Sequence, residues 1–348
     1  MIPRRVTRLA PLGAGVVLVA LLAACGSAGP HTSGATETLT LYNGQHAQTT
    51  DALVEAFERA THIRVSVRSD DEDLLAEQIV EAGKSSPADV IYTENSPALE
   101  YLESKDLLAK VPAATLGQVP ASDSSPRGDW VGVTARVSVL VYNTHDLSSG
   151  AVPRSILGLG SPEWRNKLAI APGETDFQPI VTAVDRAYGE KTAIKWLEAI
   201  KSNGSSHEYA DNETITSAVN SGQAEIGVIN QYYWYRLRAE IGNRAMHSAI
   251  AYFSPRNPGY VEDISGAGIL RGTHHMKAAQ EFLAFLVSAK AQRIIARSDS
   301  FEYPLRSGVA AAPGMKPLSA MKPYPITITE LGTGSTAVSL MTQVGLLP

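Results

Sequence analysis

The sequence runs to 348 residues, 44% apolar and 19% charged, which excludes a small stapled module, a low-hydrophobicity disordered chain and a multi-span membrane protein. Thirty Lys plus Arg against 35 Asp plus Glu leave a net charge of −5 and argue against a nucleic-acid partner. A single cysteine excludes an intrachain disulfide and any multi-cysteine metal site.

The chain opens with Arg4, Arg5 and Arg8, an uncharged stretch over residues 9–24 and then small residues, the layout of an export signal. That stretch is too short for a transmembrane helix of about 20 residues, and the lone Cys25 stands where cleavage would fall. Leu22-Ala23-Ala24-Cys25 resembles the lipobox of bacterial lipoproteins. The resemblance implies a signal peptide over residues 1–24, lipidation of Cys25 and anchoring on the outer face of the cytoplasmic membrane. Without residues 1–24 the chain carries 27 Lys plus Arg against 35 Asp plus Glu, a net charge of −8. Residues 25–38, rich in Gly, Ser, Thr, Ala and Pro, read as a flexible tether, so the folded body starts near Leu39.

Residues 39–43 read as a strand, and Thr49 or Thr50 can cap a helix whose Leu53, Val54, Phe57 and Ala60 recur at helical spacing. Residues 63–67 alternate like a strand, 74–82 read as a helix, 89–92 as a strand and 98–103 as a helix, which predicts a mostly parallel sheet flanked by helices. A long β-rich run over 131–142 carries the chain from one domain to another. A second set comes next: strand 167–171, helices 177–188 and 192–201, a short helix 215–219, strand 225–229, helix 232–240 and strand 248–254. Residues 265–270 read as a return crossing, before an amphipathic segment over 276–296. Two α/β domains joined by two crossings form a cleft lined by loops at the carboxyl ends of strands. The body shows no internal repeat.

The usual enzymatic constellations are missing: there is no His-Glu-x-x-His pair, no Gly-Lys-Ser/Thr phosphate loop and no dinucleotide fingerprint. The approach to a nucleophile elbow at Ser265 has Asp263 where the first glycine is required, so Ser265 reads as structural. The unusual cluster is Asn230-Gln231-Tyr232-Tyr233-Trp234-Tyr235, directly after a strand. Its tyrosines have three readings: core packing, stacking on a sugar or organic cation, or phenolate ligation of a hard metal ion. Successive helical side chains diverge by about 100°, so Tyr232 and Tyr233 can share one ligand only at an irregular helix start.

With that cluster in view, the sequence resembles the ferric-iron-binding proteins of iron(III) ABC importers, two-lobed members of the periplasmic binding-protein superfamily. The likeness runs from about residue 39 to 310. Its carriers are residues 41–46, 86–94, 230–234, 265–267 and 302–305, of which Tyr232-Tyr233-Trp234 is the most specific. It implies an α/β fold of type II, with two mixed sheets flanked by helices and a ligand cleft between lobes. Residues 39–137 with 264–312 would form one lobe and 138–263 with 313–348 the other. It also implies that Tyr232 and Tyr233 bind iron with His46 and Glu94 from the other lobe. The chemistry agrees: Fe(III) is hard, and two phenolates, one carboxylate and a neutral imidazole balance its charge. Taken alone, His46 reads as an exposed loop residue and Glu94 as a helix cap.

One departure stands out. The family's Ser-Gly-Ala helix start, which holds a phosphate or similar anion, is here Gly173-Glu174-Thr175-Asp176-Phe177. Asn212 and Asn230 match the two asparagines that assist it, and Arg136 falls in a stretch like the family's cleft-lining crossing. A resident carboxylate at a helix start can take the place of an anion, and Thr175 or Asp176 can equally be an N-cap. The resemblance implies a monomeric lipoprotein, not an enzyme, that takes Fe(III) from a ferric chelate, with phosphate or carbonate as a possible synergistic anion. It would hand the iron to the transmembrane subunits of an ABC permease. The alternatives are the same architecture around a phosphonate, polyamine or sugar, and a secreted hydrolase.

Overall fold

In a computed structural model that describes residues 38–348, the first strand, β1 (Thr38–Asn43), begins one residue before the expected start of the body. The expected signal peptide, Cys25 and nearly all of the tether lie outside the described residues. The elements then run as α1 (Ala47–Thr61), β2 (Arg64–Ser69), α2 (Glu72–Ala82), β3 (Val90–Thr93), α3 (Ser96–Ser104), α4 (Ala113–Leu116) and the long β4 (Trp130–Asn143). After β4 come β5 (Leu168–Ala169), α5 (Gln178–Tyr188), α6 (Glu190–Gly204), α7 (Asn212–Ser221), β6 (Ile226–Asn230), α8 (Gln231–Ile241) and β7 (Ser248–Ala251). The chain ends with β8 (Glu262–Ile269), α9 (Met276–Leu286), α10 (Ala289–Ile295), β9 (Tyr303–Pro304), α11 (Ile328–Leu331) and α12 (Ser335–Gln343).

The strands run in the order β2-β1-β3-β8-β4-β6-β5, with β7 and β9 also paired to β4. β2, β1 and β3 are parallel, whereas β8 is antiparallel to both β3 and β4. β4 belongs to two sheets. Its first half pairs with β8 up to Val137 opposite Glu262, and from Ser138 onward it pairs with β6 and β7. Every residue of β4 is buried, and its Val131, Val133, Val137, Val139 and Val141 supply the β-branched run that a strand covered on both faces requires. Two mixed sheets sharing one strand, with helices packed on them, are the α/β architecture of type II periplasmic binding proteins.

Several elements differ from the sequence expectation. Thr49 and Thr50 do not cap α1: both are buried inside it, Thr50 Oγ1 donates to Asn43 Oδ1 at 2.8 Å, and His46 stands at the N-cap. The strand expected at 167–171 keeps only two residues, and residues 265–270 lie within the first sheet, where β8 already starts at Glu262. The amphipathic segment 276–296 is two helices, because the Ser288 hydroxyl caps α10 by accepting from Ala291 N at 3.2 Å. α4, β9, α11 and α12 had no counterpart in the sequence expectation.

Candidate metal centre

β1 and β3 are parallel neighbours, with Asn43 opposite Tyr92, so the segments leaving their carboxyl ends emerge side by side. Those segments carry His46 and Glu94, and His46 Nε2 lies 2.9 Å from Glu94 Oε1. On the second sheet β6 ends at Asn230 and α8 starts at Gln231, which puts Tyr232 and Tyr233 in the first helical turn. Their ring centroids are 4.2 Å apart, and the His46 ring lies 5.2 Å from Tyr232 and 6.0 Å from Tyr233. The Tyr232 hydroxyl donates to Glu94 Oε1 and sits 3.4 Å from Asp176 Oδ2. One imidazole, one carboxyl and two adjacent phenols therefore meet between the two sheets. Among the described residues no group of three or more His, Cys, Asp and Glu side chains could hold a metal.

Asp176, in the short turn Thr175–Phe177 before α5, caps no helix. Its buried carboxylate accepts from Asn212 Nδ2 at 3.1 Å, is flanked by Asn230, and faces Arg136 Nη2 at 3.6 Å. Arg136 is wholly buried on β4, one residue before that strand changes sheets. It donates to Asn95 Oδ1 at 2.5 Å and lies 3.7 Å from Glu302 Oε1. Asn95 Nδ2 in turn donates to Thr175 Oγ1 at 3.0 Å. Glu174 and Thr175 are the half-exposed members of this group.

Charge is distributed unevenly here. Burial works against ionisation of Glu94, but His46, Arg136 and the Tyr232 hydroxyl outweigh it and hold the carboxyl well below the usual range. Burial and the charge of Glu94 raise Asp176, with Arg136 opposing. Glu174 is pushed up to about 8 by burial and by Asp176 and Glu94. Both tyrosines are driven well above their ordinary value by burial, Asp176 and Glu94. These shifts favour neutral phenols beside a carboxyl in its anionic form, an arrangement in which a highly charged cation can displace the phenol protons.

Sequence reasoning missed four supporting residues. Glu72, buried at the start of α2, accepts from Glu94 N at 2.6 Å, Asn95 N at 2.8 Å and Asn95 Nδ2 at 2.8 Å. Gln45 bridges Ser265 and Glu302 at 2.8 and 3.2 Å. Arg236 lies over both tyrosine rings, its guanidinium carbon 4.7 Å from the centroid of Tyr232 and 5.9 Å from that of Tyr233. Of the four, Arg236 alone left a local signal, since it falls four residues after Tyr232 on α8 and therefore on the same helical face. Gly44, between β1 and His46, leaves no room for a side chain: a Cβ there would stand 2.5 Å from Glu72 Cβ and 2.9 Å from its Cα. Gly44→Ala should destabilise the protein by about 1–3 kcal/mol, read as a lower Tm; an unchanged Tm would show that α2 yields freely.

Two sheets sharing a strand, with polar groups converging between them, are the layout of the solute-binding proteins, a family that is not one of enzymes. The chain belongs to the family of bacterial extracellular solute-binding proteins, whose pattern matches residues 85–325. It is 36% identical over 319 residues to the Fe(3+)-binding periplasmic protein of Serratia marcescens, covering 92% of this chain and 94% of that protein. It is 34% identical over 310 residues to the major ferric iron-binding protein of Neisseria meningitidis serogroup B, covering 88% and 93%. The crystal structure of iron-bound HitA from Pseudomonas aeruginosa matches with a TM-score of 0.85 at 40% identity, over 89% of this chain and 99% of that one.

Proposed function

We propose that the protein captures Fe(III) as its cargo between the two sheets, with His46, Glu94, Tyr232 and Tyr233 as ligands, and delivers it to an ABC permease. The observation that carries this reading is the meeting of an imidazole, a carboxyl and two adjacent phenols in one place between the sheets. Oxygen-rich, anionic donors suit a hard trivalent ion. The names of the Serratia and Neisseria relatives, and the iron-bound HitA structure, point the same way. Adding ferric nitrilotriacetate should produce a visible phenolate-to-iron charge-transfer band that saturates at one iron per chain. A colourless protein that instead binds a phosphonate, polyamine or sugar would overturn the reading.

Arg136, Thr175, Asp176, Asn212 and Asn230 form the wall behind the ligands, with Glu174 at its edge, and Asp176 replaces the exogenous anion there. The lobes divide within β4, a boundary supported by its change of partner between Val137 and Ser138. The packing of α12 on α5 and α6 supports placing the C-terminal residues with the second lobe. The protein acts as a monomer outside the cytoplasm, taking iron from a ferric chelate.

Cys25 is the lipid anchor. Cys25→Ala should release the protein from the membrane with iron binding unchanged, because the tether precedes the first strand. If the mutant stays membrane-bound after its leader has been cleaved, another device holds it.

A further inference from the structure

The outer side of Tyr233 opens into a cavity of about 520 Å³ that is also lined by Gln48, Glu213, Arg236, Glu240 and Asp299. Arg236 Nη2 is buried without a hydrogen-bond partner, and besides the two tyrosine rings the guanidinium reaches, among the described residues, the carboxylate of Glu213 at 3.5 Å. A second cavity of about 570 Å³ adjoins the first through Gln48 and Asp299, and its wall carries Lys290, Arg293 and Arg297. These three are exposed at positions i, i+3 and i+7, on one face of α10 and the turn after it. None of them has an ion-pair partner among the described residues. The acidic groups facing the same space are Glu213, already engaged by Arg236, together with Glu240 and Asp299. In a chain of net charge −5, these three side chains form a basic wall that leads to Tyr233.

We infer that this double groove docks an anionic ferric chelate, one whose carboxylate or phosphate oxygens remain free after coordinating iron. The inference rests on the reading of the centre as an iron(III) site. Arg293, Arg297 and Lys290 draw the chelate in, and Arg236, whose planar fork matches either oxyanion, receives it beside Tyr233. The metal then lies next to the first phenol that can take it, and the freed carrier leaves along the same wall. The groove therefore selects among iron sources by the charge of the carrier, independently of how tightly the four ligands hold the metal.

The test measures iron transfer by stopped-flow quenching of tryptophan fluorescence in the wild type and in the double variant Arg293→Gln with Arg297→Gln. The donors are ferric citrate, ferric pyrophosphate and the neutral tris(acetohydroxamate) complex. The variant should slow transfer from an anionic donor about tenfold, and raising salt from about 50 to about 500 mM should slow the wild type towards it. Transfer from the neutral complex and the final iron affinity should not change. Loss with citrate alone assigns the groove to carboxylates, and loss with pyrophosphate alone assigns it to phosphates. Equal slowing with all three donors, or slowing with none, overturns the docking groove. If the wild type takes iron from no donor, the iron reading itself fails.

Discussion

Tyr233→Phe should remove most of the visible ferric band and weaken iron binding about a hundredfold or more, one ligand's share of a multi-ligand metal site. Losing a proton from a phenol of ordinary pKa near 10 costs about 4 kcal/mol at pH 7, and burial beside Asp176 and Glu94 makes it costlier here. Only a strong Lewis acid offsets such a cost, so the phenolates form when the metal arrives. This fixes the sign of the pH dependence. Below their raised pKa values the free tyrosines hold their protons, and each bound iron releases two, so affinity should fall about a hundredfold for each unit of acidification. The measurement is a competitive titration against a chelator of known affinity from pH 6 to about 8, with thermal unfolding of the metal-free protein as the control for folding. A Tyr233→Phe protein with full colour and wild-type affinity would remove this residue from the ligand set.

The pair was legible because its signal is local: two tyrosines and a tryptophan come directly after an apolar strand, and α8 starts at Gln231. The alternation of strands and helices was equally legible, since each element declares its own period. The supports of the site were not, because their partners are remote in sequence. Glu72 holds Glu94 across 22 residues, and Gln45 reaches Glu302 across 257. Taken alone, Glu72 is an ordinary acidic residue in the first turn of a helix. Thr49 and Thr50 misled for the opposite reason. Hydroxyls near an apolar repeat look like caps, yet here they face the interior and Thr50 ties α1 to the end of β1. The Pro-rich stretch before α11 has no periodicity of its own, and α11 and α12 are too short to show a clear one, which hid both C-terminal helices.

Asp176→Gly should make iron binding depend on phosphate, whereas the wild type should bind equally well with and without it. The Asp176 carboxylate is buried, 3.4 Å from the Tyr232 hydroxyl and 3.6 Å from Arg136, with Asn212 donating to it and Asn230 at its flank. An incoming phosphate would meet the same guanidinium and amides, and would also meet the carboxylate. With Asp176 ionised against Arg136, two like charges about 4 Å apart at an effective dielectric near 20 repel by about 4 kcal/mol, which weakens an anion by several hundredfold. In the proposed ligand set two phenolates and Glu94 balance Fe(III), so neutrality would not call for a further anion, and Asp176 could itself fill an open coordination position. Glycine removes the carboxylate and opens space at the helix start, whereas Asp176→Asn keeps the shape and still fills it. The two variants therefore separate charge from volume, and Arg136 retains Glu302 as a partner in both. Ferric titrations with a competing chelator, with and without phosphate, should show phosphate dependence in Asp176→Gly and a weaker one in Asp176→Asn. A wild type that needs phosphate for tight binding, or a glycine variant indifferent to it, would return Asp176 to a purely structural part in the Arg136 network.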